Sequence, residues 1–108
     1  MKVKFIPIET LLEMKENNAG FRLVEVLSED SFAEGHIPGA INMPADRIKG
    51  MAGKMLKKTD TIVVYCGGYH CPASTNAAKI LMSMGYKKVL DYKAGKKGWK
   101  DAGLELEK

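Results

Sequence analysis

The sequence predicts an α/β domain built on a mostly parallel sheet with helices on both faces. Two observations carry that expectation. Apolar runs of strand length alternate with amphipathic, helix-length stretches, and such an order implies crossover connections between parallel strands. The run Thr61 to Cys66, TIVVYC, is rich in β-branched residues and lacks the period-two alternation of a half-exposed strand, so it reads as the central strand, covered on both sides.

The remaining elements follow in chain order. Phe5 to Ile8 reads as a short strand, and Thr10 to Lys15 as a helix that turns Leu11, Leu12 and Met14 inward. Phe21 to Val26 is a second strand. Ser28 is placed to cap a short helix ending at Glu34, with Glu29 and Asp30 in its first turn, where the positive end of the helix dipole favours them. Gly35 to Pro44, GHIPGAINMP, turns twice and passes through a short strand. A helical region containing Met51, Met55 and Leu56 precedes the central strand. Asn76 to Met84 forms a helix closed by Gly85, Lys88 to Leu90 a strand, and Gly98 to Ala102 a last short helix carrying Trp99.

Composition narrows the function. With 108 residues, 45% of them hydrophobic and 28% charged, the chain suits a single domain spanning 1–108 whose core needs neither metal nor disulfide. Its net charge is +4, and the excess lies in the second half: residues 1–54 carry 7 basic and 8 acidic groups, residues 55–108 carry 10 and 5. Small anions are the partners this favours. Nucleic acid is disfavoured, since the basic groups are nearly all Lys, Arg occurs only at positions 22 and 47, and no recognition motif is present. Glu9 interrupts the first apolar run before a signal-peptide core can form, and no stretch reaches the length of a membrane span. The expectation is a cytoplasmic protein with no membrane partner.

The chemistry concentrates in one loop. Cys66 ends the central strand, and Gly67-Gly68-Tyr69-His70-Cys71-Pro72-Ala73-Ser74 leads into the next helix, at the edge where parallel sheets hold their ligands. Gly67 and Gly68 can adopt positive φ and turn amides inward, and the helix adds its free N–H groups. Such a cradle would lower the pKa of a Cys66 thiolate, or hold a persulfide, an oxyanion or a phosphate. A cysteine after an apolar strand is also often a small buried hydrophobe. His70 reads as a surface residue or as a base to the thiol; Cys71 is either a resolving thiol for Cys66 or inert. A zinc site drawing on Cys66, His70, Cys71 and His36 matches no common ligand spacing, and no cofactor is implied.

Three segments together resemble the rhodanese family. Leu23 to Pro44, LVEVLSEDSFAEGHIPGAINMP, is similar to its first signature. Ile62 to Cys66 stands where the family places its active-site cysteine, and Met84 to Glu107 resembles its closing strand, glycine turn and tryptophan helix. The resemblance implies a five-stranded parallel sheet and a sulfurtransferase chemistry. In that chemistry Cys66 is nucleophile and persulfide carrier, and the segment Gly67, Gly68, Tyr69, His70, Cys71, Ala73 and Ser74 binds substrate, its amides from Gly67 to Ala73 forming the cradle. Thiosulfate is then the implied donor, and a thiol or a partner protein the acceptor. His36, Pro38 and Gly39 take the part of turn residues, and Trp99 that of a core anchor.

Departures from the family pattern bear on the chemistry. Glu25-Val26-Leu27 replaces the common Asp-Val-Arg, the loop is about two residues longer than the usual six, and no Arg or Lys lies between Cys66 and Ser74. A phosphatase of this kind needs a guanidinium to compensate the phosphoryl charge, so its absence favours sulfur over phosphate. Thiol-disulfide redox through Cys66 and Cys71 is the alternative, followed by a non-catalytic binding domain. Lys93, Lys96, Lys97 and Lys100 follow the last strand and read either as a solvated face or as a lure for anions.

Overall fold

The computed structural model describes residues 2–17 and 20–108. Its sheet has five strands in the order β1-β5-β4-β2-β3: β1 (Lys4–Phe5), β2 (Arg22–Glu25), β3 (Ile41–Asn42), β4 (Thr61–Tyr65) and β5 (Lys88–Asp91). Every pairing is parallel, with β4 central between β2 and β5. The helices are α1 (Ile8–Glu16), α2 (Glu29–Glu34), α3 (Ile48–Met55), α4 (Ala73–Ser83) and α5 (Gly95–Asp101), with a 3-10 turn at Ala45–Arg47 before α3.

The absence of alternation in β4 has the cause expected of it. Ile62 and Val64 face a layer that includes Ile48 and Ala52 of α3 and Ala77, Ala78 and Leu81 of α4. Val63 and Tyr65 face the opposite layer, with Leu11 of α1, Ile37 and Trp99 of α5. Burying both faces leaves no position for a polar alternate. Trp99 anchors the second layer, its indole N–H donating to the Glu105 carbonyl at 2.9 Å.

Three boundaries differ from the sequence expectation, each for a local reason. The first strand is shorter because Pro7 caps α1, which takes Ile8 as its first residue. α4 starts three residues early, directly after Pro72, and so brings Ser74 to the base of the loop. α5 also starts early, at Gly95, in a stretch of low helix propensity. Two of its first amides are satisfied from outside the helix: Lys96 donates to the Cys66 carbonyl at 3.0 Å and Lys97 to the Gly67 carbonyl at 2.9 Å. Tertiary hydrogen bonds outweigh local preference there. The predicted cap is present, the Ser28 hydroxyl accepting from the Ser31 amide at 3.2 Å.

The turn segment Gly35 to Pro44 is held by contacts across the fold. His36 stacks on Phe32 with ring centroids 3.8 Å apart, exchanges backbone hydrogen bonds with Glu107, and places Nε2 3.3 Å from the Glu107 carboxylate. These contacts give His36 a place in the architecture, remote from Cys66 in role.

Candidate active site

Cys66 stands one residue beyond β4, at the carboxyl edge of the sheet, and is fully buried. Its thiol donates to the Cys71 carbonyl oxygen at 3.4 Å. Cys71, half-buried, sits just before α4, and its own amide donates to the Gly68 carbonyl at 3.1 Å, closing a tight turn. Both cysteines are free thiols.

The ionisation of this pair reverses the sequence expectation. Burial is the largest influence on the Cys66 thiol and raises its pKa above the ordinary value; hydrogen bonding to Cys71 raises it further, and the Ser74 hydroxyl and amide pull down without prevailing. Burial also opposes ionisation of Cys71, but hydrogen bonding from Cys66, the amides of Ala73 and Gly67, and the positive charge of Lys93 together bring its pKa down. Of the two thiols, Cys71 is therefore the more readily ionised and Cys66 the less. Backbone amides do gather around sulfur as expected, but those of Gly67 and Ala73 serve Cys71, while Cys66 has the Ser74 amide and faces the Cys71 carbonyl.

Gly67 and Gly68 do not adopt positive φ, whereas Gly95, which packs against the Gly67 backbone, does, at φ 61. A Cβ on Gly95 would lie 2.3 Å from the Cys66 carbonyl oxygen, so the approach of α5 to the active-site strand requires glycine. Ser74 is buried, and its hydroxyl lies close enough to the Cys66 sulfur to favour the thiolate. Tyr69 and His70 are exposed at the loop tip. They line a cavity of about 140 Å³ with Ala94, Lys97, Gly98 and Asp101, on the side of the loop facing α5.

Cations reach the loop from α5 and the turn before it, not from the loop itself. Lys93 donates to the Cys71 carbonyl at 2.5 Å. Lys96 places its ammonium 3.0 Å from the carboxylate of Glu25 at the end of β2, and Glu25 accepts from the Tyr65 hydroxyl at 2.8 Å. Tyr65 in turn accepts from the Ile37 amide at 3.1 Å, linking this network to the turn segment. Lys97 pairs with Asp101 on an exposed face. Of the two readings of the lysines after β5, Lys93 takes the one beside the loop, and sequence reasoning missed Lys96 as the partner of Glu25. The signal was the departure at Glu25: a carboxylate at the end of a buried strand demands a cation, and the lysines after β5 were the nearest supply. Neither arginine approaches the cysteines. Arg22 begins β2, at the opposite edge of the sheet, and Arg47 pairs with Glu29 at 2.9 Å.

Comparison with known proteins gives this geometry its family. The profile described as "Rhodanese-like domain" matches residues 8–102. The chain belongs to the rhodanese-like domain family. A solved rhodanese-like domain of the Anabaena sp. Alr3790 protein superposes with a TM-score of 0.86 at 28% identity, covering 99% of this chain and 80% of that one. Among curated relatives, the thiosulfate sulfurtransferase GlpE of Shewanella oneidensis is 29% identical over 99 residues, covering 92% of this chain and 94% of that protein. The HTH-type transcriptional regulator Rv0324 of Mycobacterium tuberculosis is 35% identical over 89 residues. This chain spans only 37% of that regulator, and 35% of a Synechococcus elongatus protein named as a putative thiosulfate sulfurtransferase. Rhodanese-like domains are thus found both alone and within larger proteins, and the family supports sulfurtransferase chemistry in the broad sense. Among the described residues no helix is long and apolar enough to cross a membrane.

Proposed function

We propose that this domain is a sulfurtransferase that carries sulfane sulfur as a persulfide on Cys66, taking it from thiosulfate or another persulfide and yielding it to a thiophilic acceptor. The observation that carries the reading is the position of Cys66, at the carboxyl edge of the central strand, where the base of α4 brings the buried Ser74 hydroxyl to its sulfur.

Attack requires Cys66 to ionise, its proton passing to solvent or to a Cys71 thiolate beside it. The Cys66 thiolate then bonds to the outer sulfur of thiosulfate, the sulfur–sulfur bond of the donor breaks, and sulfite leaves with the electron pair. A second nucleophile, cyanide or a thiolate, takes the terminal sulfur and restores Cys66. Ser74 is free to donate to the persulfide, and Gly67, Gly68, Tyr69, His70, Cys71 and Ala73 form the wall past which the donor enters. With no guanidinium at the loop, a phosphoryl dianion lacks compensation, whereas thiosulfate needs less and Lys93 lies beside the entrance. The chemistry suits a reducing compartment such as the cytoplasm, where thiols persist. The test is steady-state transfer from thiosulfate to cyanide: wild type forms thiocyanate with ping-pong kinetics and Cys66→Ser forms none. Thiocyanate from the Ser variant at the wild-type rate would reject the reading.

A second reading, thiol-disulfide exchange, is favoured by one observation, the contact between the two free thiols. A dithiol carrier would cycle between the Cys66–Cys71 disulfide and the dithiol with no sulfane sulfur involved, and would be active without thiosulfate.

A further inference from the structure

We propose that Cys71 resolves the Cys66 persulfide, so that the domain releases its sulfur as hydrosulfide and closes a Cys66–Cys71 disulfide. The inference rests on the persulfide reading above and adds the product, the second reacting residue and the class of co-substrate that completes the cycle.

Three features of the loop point to it. The thiol of Cys66 lies 3.4 Å from the Cys71 carbonyl oxygen, which brings the backbone of the second cysteine within one side chain's length of the first sulfur. Cys71 is the member of the pair with access to solvent and with positive charge beside it, Lys93 being hydrogen-bonded to its carbonyl. Both cysteines are free thiols on one short loop, so a bond between them closes a small ring without joining distant parts of the fold. Lowered ionisation of Cys71 agrees with this geometry.

The step balances. The Cys71 sulfur attacks the inner sulfur of the persulfide, its proton passing to the outer sulfur; a Cys71–Cys66 bond forms and the Cys66–outer sulfur bond breaks, with hydrosulfide leaving on the electron pair. Two thiol sulfurs are oxidised to the disulfide and the sulfane sulfur is reduced to the sulfide level. A dithiol reductant, protein or small molecule, must then reopen the disulfide. The exposed cavity between Tyr69, His70 and α5 stands on the same loop and leaves that reductant a route of approach.

The experiment is a single turnover with the reduced chain, freed of external thiol and mixed with thiosulfate. It reads hydrosulfide released, free thiols remaining and intact mass. Wild type should release about one hydrosulfide per chain and lose both titratable thiols. Cys71→Ser should hold one added sulfur atom and release none. If wild type keeps the added sulfur without forming a disulfide, or if Cys71→Ser releases hydrosulfide equally, the proposal is overturned. Absence of added sulfur on Cys71→Ser together with absence of turnover in wild type would instead reject the persulfide reading itself, and this proposal with it.

Discussion

Glu25 and Lys96 form an ion pair 3.0 Å long at the carboxyl edge of the sheet, the glutamate side chain wholly buried and the lysine side chain 13% exposed. It joins the end of β2 to α5, and α5 is the helix whose amides hold the Cys66 and Gly67 carbonyls. Lys96 also donates to the Ser31 carbonyl at 2.8 Å, tying α2 into the same junction.

Removing the cation while leaving the anion should therefore be more damaging than removing both. Lys96→Met strands the Glu25 carboxylate in the interior and is expected to destabilise the fold by about 3–5 kcal/mol. Lys96→Met combined with Glu25→Gln should recover part of the loss. Urea unfolding of the two variants checks this; equal stability of Lys96→Met and wild type would show that the pair is not buried in solution.

Gly95 predicts a loss of a different kind. Its φ of 61, and the 2.3 Å that would separate an added Cβ from the Cys66 carbonyl oxygen, make Gly95→Ala both strained and overpacked. The expected cost is about 2–4 kcal/mol, with sulfur transfer falling further than stability explains, because the clash displaces the active-site strand itself. Thermal unfolding and thiocyanate formation on the same sample separate the two effects.

Alkylation should find Cys71 before Cys66. The first is half-exposed with a lowered pKa and the second is buried with a raised one. Peptide mapping after a short exposure to iodoacetamide near neutral pH should show the label on Cys71. Lys93→Met removes a charge that favours the Cys71 thiolate, so the pH midpoint of its alkylation should rise. Faster labelling of Cys66 in wild type would contradict this order of ionisation and access.

The pH dependence of sulfur loading follows with a definite sign. A raised Cys66 pKa means that its thiolate fraction, and the loading rate, keep climbing as pH increases past the ordinary thiol value of about 8.5. Contact with Cys71 contributes to that elevation, so Cys71→Ser should load at lower pH than wild type. Stopped-flow loading profiles of both proteins test this; a shift to higher pH in the variant would show that Cys71 promotes ionisation of Cys66 instead of opposing it.

Much of this architecture was legible in the sequence, since β4, the capped α2 and the doubled turn from Gly35 to Pro44 are written in local pattern. The position of Cys66 followed from β4. Its state of ionisation did not, because that depends on how many amides face the sulfur and how much water is excluded, and both are set by α4 starting directly after Pro72. The lysines after β5 were legible as cations for this edge, but the pairing of Lys96 with Glu25 was hidden, since the two lie far apart along the chain and are brought together by β5. The requirement for glycine at position 95 was also hidden, because its reason, a carbonyl across the sheet edge, has no trace in its own neighbourhood.

Thiosulfate radiolabelled in its outer sulfur tests the central claim most directly, using Cys71→Ser so that bound sulfur is retained. Label mapped to the peptide containing Cys66, released by cyanide and absent from Cys66→Ser, is the predicted result. Label on any other residue, or none on a folded chain, would contradict it.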